Sequence, residues 1–247
     1  MSFRLTTIRG WLNSTLHFLF PETCQHCRSV RATAAQGFIC ADCWRQVRFI
    51  RPPFCERCGL PFEGDLTTQF ECSNCREMDL HFTSARSAVI AKGLTLDIIH
   101  RYKYNQALWF EPFLADLLIR EAKPELSSSD WHLIVPVPLH PLKLRERGFN
   151  QALQLGTLLG RASQIPVEDR LLSRVLPTRT QTLLSRAERT ANVKNAFSVT
   201  KGCKLNGARI VVVDDVFTTG ATTNACARAL QVAGAERVCV WTLARGL

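Results

Sequence analysis

The chain has 247 residues, 46% hydrophobic and 21% charged, with a formal net charge of +10 at pH 7. That balance excludes a disordered tail, and no run approaches the ~20 apolar residues that a bilayer span needs. Residues 1–80 hold nine Lys/Arg against eight Asp/Glu, whereas residues 140–204 hold 12 against four. The positive field therefore lies in the second part, where it suits phosphate-rich ligands as well as it suits a plain solvated surface.

Phe3, Leu5, Ile8, Leu12, Leu16 and Leu19 recur at near-helical spacing, with Arg4, Arg9, Asn13 and His17 between them. This predicts an amphipathic helix over 1–20 without the apolar core or cleavage site of a secretory signal. Packing against its own protein is its expected fate; contact with an anionic membrane surface is the alternative.

Eight of the 11 cysteines follow before residue 76, in four Cys-x-x-Cys pairs: Cys24/Cys27, Cys40/Cys43, Cys55/Cys58 and Cys72/Cys75. One such knuckle lets two thiolates grip a tetrahedral ion, and two knuckles close the shell. The simplest arrangement is two successive Cys₄ ribbons over 21–80, one structural Zn²⁺ in each. Iron–sulfur ligation fits the spacing too, although the duplicated ribbon pattern disfavours it. Disulfides would need an oxidising compartment, and no secretion signal is present. Few large apolar residues lie in this segment, so metal binding of ~10–16 kcal/mol would supply what a small core cannot. Cys203, Cys226 and Cys239 lack such spacing and read as ordinary core or surface residues.

Residues 81–247 read as an α/β layer domain. The predicted order is a strand at Arg86–Ala91, then helices at Leu96–Tyr104 and Trp109–Lys123, stopped by Pro124 and the Ser127–Asp130 loop. A strand at Leu133–Pro138 precedes a helix at Phe149–Arg161. A short strand near Leu171–Leu176 leads into a polar basic stretch reaching Lys194. Ala208–Val213 is the central strand, Thr222–Ala233 its helix and Arg237–Leu243 the last strand. Strands alternating with helices imply a mostly parallel sheet, with ligands at the carboxyl ends of its strands.

The central strand is the most informative stretch. Ile210–Val213 is a continuous β-branched run, as in a strand buried on both faces. It leads into Asp214 and Asp215, then Thr218-Thr219-Gly220-Ala221-Thr222 at a helix start. Helix-start N–H groups and hydroxyls form an anion site. Paired acids accept hydrogen bonds from vicinal sugar hydroxyls or bind Mg²⁺. The chain has no Gly-Lys-Ser/Thr phosphate loop and no Gly-x-Gly-x-x-Gly after a strand, so two common nucleotide folds are excluded.

Residues Ile210–Thr222 resemble the 13-residue signature for 5-phosphoribosyl 1-pyrophosphate (PRPP) in type I phosphoribosyltransferases. With Pro136-Val137-Pro138-Leu139-His140, Arg147-Gly148-Phe149-Asn150-Gln151 and the cysteine ribbons, the chain resembles the ComF/GntX family from Pro21 to Leu247. That resemblance implies a double zinc ribbon joined to a type I phosphoribosyltransferase fold. It implies that Asp214 and Asp215 hold the ribose hydroxyls, with Mg²⁺ accompanying PRPP. Thr218, Thr219, Gly220, Ala221 and Thr222 would cradle the 5-phosphate. The loop after the strand at Leu133–Pro138 would offer Lys143, Arg145, Arg147 and Gly148 to pyrophosphate. The stretch from Gln181 through Arg186, Arg189, Asn192 and Lys194 corresponds to a loop that closes over the site, and Arg189 joins Asp214 and Asp215 as the catalytic candidates. Lys103 is a weaker candidate to approach from the linker side.

The resemblance further implies a part in natural transformation or DNA utilisation. A DNA-import accessory would bind PRPP and single-stranded DNA, work beside import-machinery proteins, and sit in the cytoplasm or at the inner face of the membrane. Trp44, Phe49 and Phe54 are candidate base-stacking platforms, with a core role the more expected for each. The competing expectation is an active phosphoribosyltransferase that transfers to an unidentified base or other nucleophile, with no direct DNA contact.

Overall fold

The computed structural model describes residues 22–62, 64, 70–127, 130–175 and 195–247; the predicted helix over 1–20 lies outside them. The main sheet has four strands, all parallel, in the order β1 (Ser84–Ile90), β6 (Arg237–Arg245), β5 (Arg209–Phe217) and β2 (Leu133–Pro136). This is the expected α/β architecture, a parallel sheet flanked by helices, with two Cys₄ sets ahead of it in the chain.

Ile210–Val213 have no solvent exposure because both sheet faces are covered. Val211 and Val213 pack beneath α3 (Leu94–Tyr104), α4 (Glu111–Ser127) and α6 (Gln151–Ser163). Ile210 and Val212 pack against Cys226, Ala227 and Leu230 of α7 (Ala221–Val232). β2 lies at an edge of the sheet, where a proline can end a strand without breaking an interior ladder. A separate antiparallel pair, β3 (Leu172–Arg174) and β4 (Phe197–Val199), joins the α7 side through Leu172 and Phe197.

The cysteine segment contains two single helical turns, α1 (Ala41–Trp44) and α2 (Ser73–Arg76). The linker between the ribbons lies along β1: the Ile50 N–H donates to the Ala88 carbonyl at 3.0 Å and the Ile90 N–H to the Arg48 carbonyl at 2.9 Å. An otherwise open sheet edge is thereby partly paired. The first ribbon shares a core with Phe113 and Leu117 of α4, the second with Phe82, Phe217 and Val240.

Four elements differ most from expectation. The central strand continues past Val213 to Phe217, because Asp214, Val216 and Phe217 stay in register with Thr242, Ala244 and Arg245 of β6. The acids thus lie within the strand, and β6 also runs two residues further, to Arg245. Helix α4 continues through Pro124 to Ser127. An interior proline costs about 3 kcal/mol, and burial of Ala122 and Leu126 offsets it. Residues Pro141–Arg147, expected as a loop, form helix α5. Pro141 occupies its first turn, the His140 ring accepts from the Leu142 N–H, and Gly148 closes it in the left-handed region at φ 81°.

Candidate functional site

The carboxyl ends of β5 and β6, the start of α7, the end of α3 and helix α5 meet at one place. Successive strand residues face opposite sides of the sheet, so Asp214 and Asp215 have different surroundings. Asp215 is 5% exposed on the α3 face. Its Oδ2 lies 2.5 Å from Lys103 Nζ. Asp214 is partly exposed on the α7 face, and its Oδ1 accepts the Asp215 N–H at 2.9 Å. Burial pushes the Asp214 carboxyl up to about 6, while Lys103, Arg174 and Arg147 pull it down. Burial brings Lys103 down to about 8, opposed by Asp214 and reinforced by Arg147. Two carboxylates and three cations thus gather at the carboxyl end of the central strand, an arrangement suited to a ligand carrying both hydroxyls and phosphates.

The turn after β5 reads out as predicted in shape. Gly220 sits at φ 79° as the residue preceding α7, and a Cβ there would lie 2.5 Å from the Phe217 ring. Only glycine meets both demands. Thr219 Oγ1 accepts from the Ala221 N–H at 3.4 Å and Thr223 Oγ1 donates to the Gly220 carbonyl at 3.1 Å. Thr218 is exposed, Thr222 partly exposed and Ala221 buried. The start of α7 thus follows the strand that carries Asp214 after a three-residue turn.

Of the four residues expected to face pyrophosphate, Arg147 lies nearest the acids and stacks its guanidinium 5.4 Å from the Tyr104 ring. Lys143 pairs with Glu146 at 2.7 Å, Arg145 is exposed at the surface, and Gly148 ends α5. Arg189 and its neighbours Gln181, Arg186, Asn192 and Lys194 lie outside the described residues.

Sequence reasoning missed Arg174, which reaches the Asp214 neighbourhood from β3 and stacks on Phe197 at 5.4 Å. It missed Asn224 as well, whose side chain accepts from the His81 N–H at 2.7 Å and donates to the Asp79 carbonyl at 2.9 Å. That pair of bonds pins the segment after the second ribbon onto α7. Neither position carries a local signal, because its role depends on a partner distant in sequence.

The eight cysteines assemble as two sets, Cys24/Cys27/Cys40/Cys43 and Cys55/Cys58/Cys72/Cys75, each with its sulfurs within 4.8 Å of one another. A tetrahedron with Zn–S bonds of ~2.3 Å has edges of about 3.8 Å. The observed separations are 3.7 Å for Cys24–Cys43, 3.8 Å for Cys27–Cys40, 3.8 Å for Cys55–Cys75 and 3.7 Å for Cys58–Cys72. Each donor set therefore fits one zinc ion without rearrangement. Against the penalty of burial, backbone N–H groups of Cys40, Cys27 and His26 bring the Cys24 thiol down to about 6. Those of Cys72, Cys58 and Arg57 bring Cys55 down to about 7. Cys203 is exposed, and Cys226 and Cys239 are buried, away from both sets.

Residues 15–77 match the model of the double zinc ribbon domain family. Competence protein F of Haemophilus influenzae is 34% identical over 234 residues, covering 92% of this chain and 98% of that protein. This chain belongs to the competence protein F family. Within that family, the DNA utilization protein YhgH of Salmonella typhimurium is 33% identical with the same coverage, and competence protein ComFC of Bacillus subtilis is 29% identical over 84% of each chain. Among solved structures, the allosteric regulatory enzyme of purine biosynthesis overlays 52% of this chain, which spans 24% of that enzyme, at 25% identity and a TM-score of 0.35. A hypoxanthine phosphoribosyltransferase from Staphylococcus aureus overlays 53% of this chain and 63% of its own at 13% identity and a TM-score of 0.35. The full-length likeness to competence protein F, spanning ribbons and sheet alike, is what ties both parts of this chain to one family.

Proposed function

We propose that this competence protein F relative binds PRPP with Mg²⁺ and handles single-stranded DNA. The observation that carries the first half is the position of Asp214 at the carboxyl end of the buried strand β5, within the electrostatic reach of Lys103, Arg174 and Arg147, on the strand that leads through the Gly220 turn into α7. Asp214 offers a carboxylate to the ribose hydroxyls and to Mg²⁺. Thr218–Thr222 receives the 5-phosphate, and Arg147 with Lys143, Arg145 and Gly148 faces the pyrophosphate. Asp215, buried on the other sheet face, pairs with Lys103, whose charge also acts on Asp214.

The second half rests on the surface around this site. Tyr104 is 63% exposed, Leu108 48% and Trp109 44%. Tyr104 carries Arg147 on its ring, and Gln106 Nε2 donates to the Arg147 carbonyl at 3.3 Å. Exposed rings interleaved with cations suit unpaired bases and their phosphates. The earlier candidates suit this less well: Trp44 packs against Phe49 at 5.5 Å beneath Arg120, and Phe54 lies under Arg86. No helix among the described residues is long and apolar enough to cross a membrane. Eight thiols gathered in two metal-ready sets call for a reducing compartment, and we place its work on a cytoplasmic face. Partner proteins of DNA import would then meet it there.

Binding to a single-stranded oligonucleotide across a salt series tests the DNA half. Affinity should fall as salt rises and should weaken on Tyr104→Ala or Arg147→Ala. No binding at low salt would reject it. Incubation with PRPP, Mg²⁺ and a panel of bases, read as pyrophosphate release, would identify transfer activity if the site also performs the reaction.

A further inference from the structure

Arg245, the last residue of β6, is 4% exposed. A buried guanidinium is costly unless an anion compensates it. Among the described residues no carboxylate pairs with it, and its Nε and Nη1 have no hydrogen-bond partner. Its Nη2 points to Cys58 Sγ at 3.5 Å. Cys58 belongs to the second Cys₄ set, whose four members are all buried. Four thiolates around one Zn²⁺ leave two negative charges, and a buried dianion is the counter-charge that Arg245 otherwise lacks. Nothing comparable serves the first set: among the described residues no guanidinium donates to its sulfurs, and its Cys27 is exposed to solvent.

Arg245 also meets the aromatic ring that precedes the turn after β5. Its guanidinium lies 4.4 Å over the Phe217 ring. That ring is the surface against which Gly220 closes, and Phe82 meets it edge-on at 6.1 Å. The Gly246 N–H donates to the Phe217 carbonyl at 2.9 Å, and Gly246 lies against Thr218. Thiolate cluster, Arg245, Phe217 and Gly220 therefore form one continuous stack, from the second metal set to the turn that starts α7.

We propose that Arg245 is the counter-cation of the second zinc centre and that, through Phe217, it makes the order of the 218–222 turn depend on that centre being loaded. Arg245 is thus a positioning residue, touching no substrate. The link itself stands on the stack alone; its consequence for PRPP affinity rests on the function proposed above.

The test uses the full chain with both metals bound. Competition with a chromogenic chelator reports zinc affinity, and hydrogen exchange of residues 217–222 reports the turn without any ligand. Arg245→Met should weaken one of the two zinc sites by about 10- to 100-fold, the range for outer partners of metal ligands, and should speed exchange in 217–222. Arg245→Lys, which keeps the charge, should restore part of both. Phe217→Leu should leave zinc affinity intact and speed exchange, because it cuts the stack beyond the arginine. Cys58→Ser should loosen the turn, and Cys27→Ser in the first ribbon should not. Unchanged zinc affinity in Arg245→Met, or an unchanged turn once the second zinc is lost, overturns the proposal. Absence of PRPP binding by the wild type, with these zinc and exchange effects present, would count against the proposed function and leave this link standing.

Discussion

Replacing Lys103 by Met removes the cation that faces the buried carboxylate of Asp215. The pair is 2.5 Å apart, with side chains 15% and 8% exposed. At an effective dielectric of ~20 the direct attraction is about 7 kcal/mol, and the cost of taking both ions out of water offsets much of it. What matters for a single substitution is the charge left behind: breaking a buried pair from one side costs about 3–5 kcal/mol. Lys103→Met should therefore lose that much in denaturant unfolding of the metal-replete protein, followed by tryptophan fluorescence. Lys103→Met combined with Asp215→Asn should recover most of the loss, since no buried charge remains. The pH dependence carries a second signature. Burial holds Lys103 at about 8 in the folded chain, below its value near 10.4 in an unfolded chain. Between those values the unfolded state binds more protons, so wild-type stability should rise with pH relative to Lys103→Met. A loss below about 1 kcal/mol for the single variant, or additive losses in the double variant, would refute the reasoning.

Asp214 is raised to about 6, so PRPP affinity should climb as pH rises through 6 and the carboxylate ionises; Asp214→Asn should flatten that limb, measured against the titration of the ligand's own phosphates. Folding linkage runs the other way: because the folded value lies above the unfolded one of ~3.9, the group's contribution to stability is present below about 4 and is lost as pH rises through 6. Gly220→Ala must place a methyl 2.5 Å from the Phe217 ring at φ 79°, which should cost about 1–3 kcal/mol in unfolding and weaken PRPP binding; unaltered affinity would show that the turn does not hold the phosphate. Cys40→Ser should lower bound zinc from two ions to one and open the N-terminal part to protease, and retention of both ions would remove Cys40 from the ligand set.

Local chemistry explains what was legible in sequence. Four Cys-x-x-Cys knuckles announce their metal sets because two ligands per knuckle are close in sequence. The run Ile210–Val213 announces a strand covered on both faces, and Gly220 announces a turn that no side chain can enter. The extent of β5 was not legible, because two carboxylates read as an end until β6 is seen to hold Asp214 and Val216 in register. Pro124 read as a stop, although the buried Leu126 beyond it keeps the helix going. Arg174, Asn224 and Arg245 carried no signal at all. Each acquires a role only when β3, the segment after the second ribbon, or the second Cys₄ set is brought beside it by the fold.

Calorimetric titration of PRPP with Mg²⁺ into metal-replete protein tests the central claim most directly. A saturable heat at one site per chain, abolished by Asp214→Ala with Asp215→Ala while the variant remains folded, is the predicted result. No heat with the wild type, or an isotherm that the double variant leaves unchanged, would contradict it.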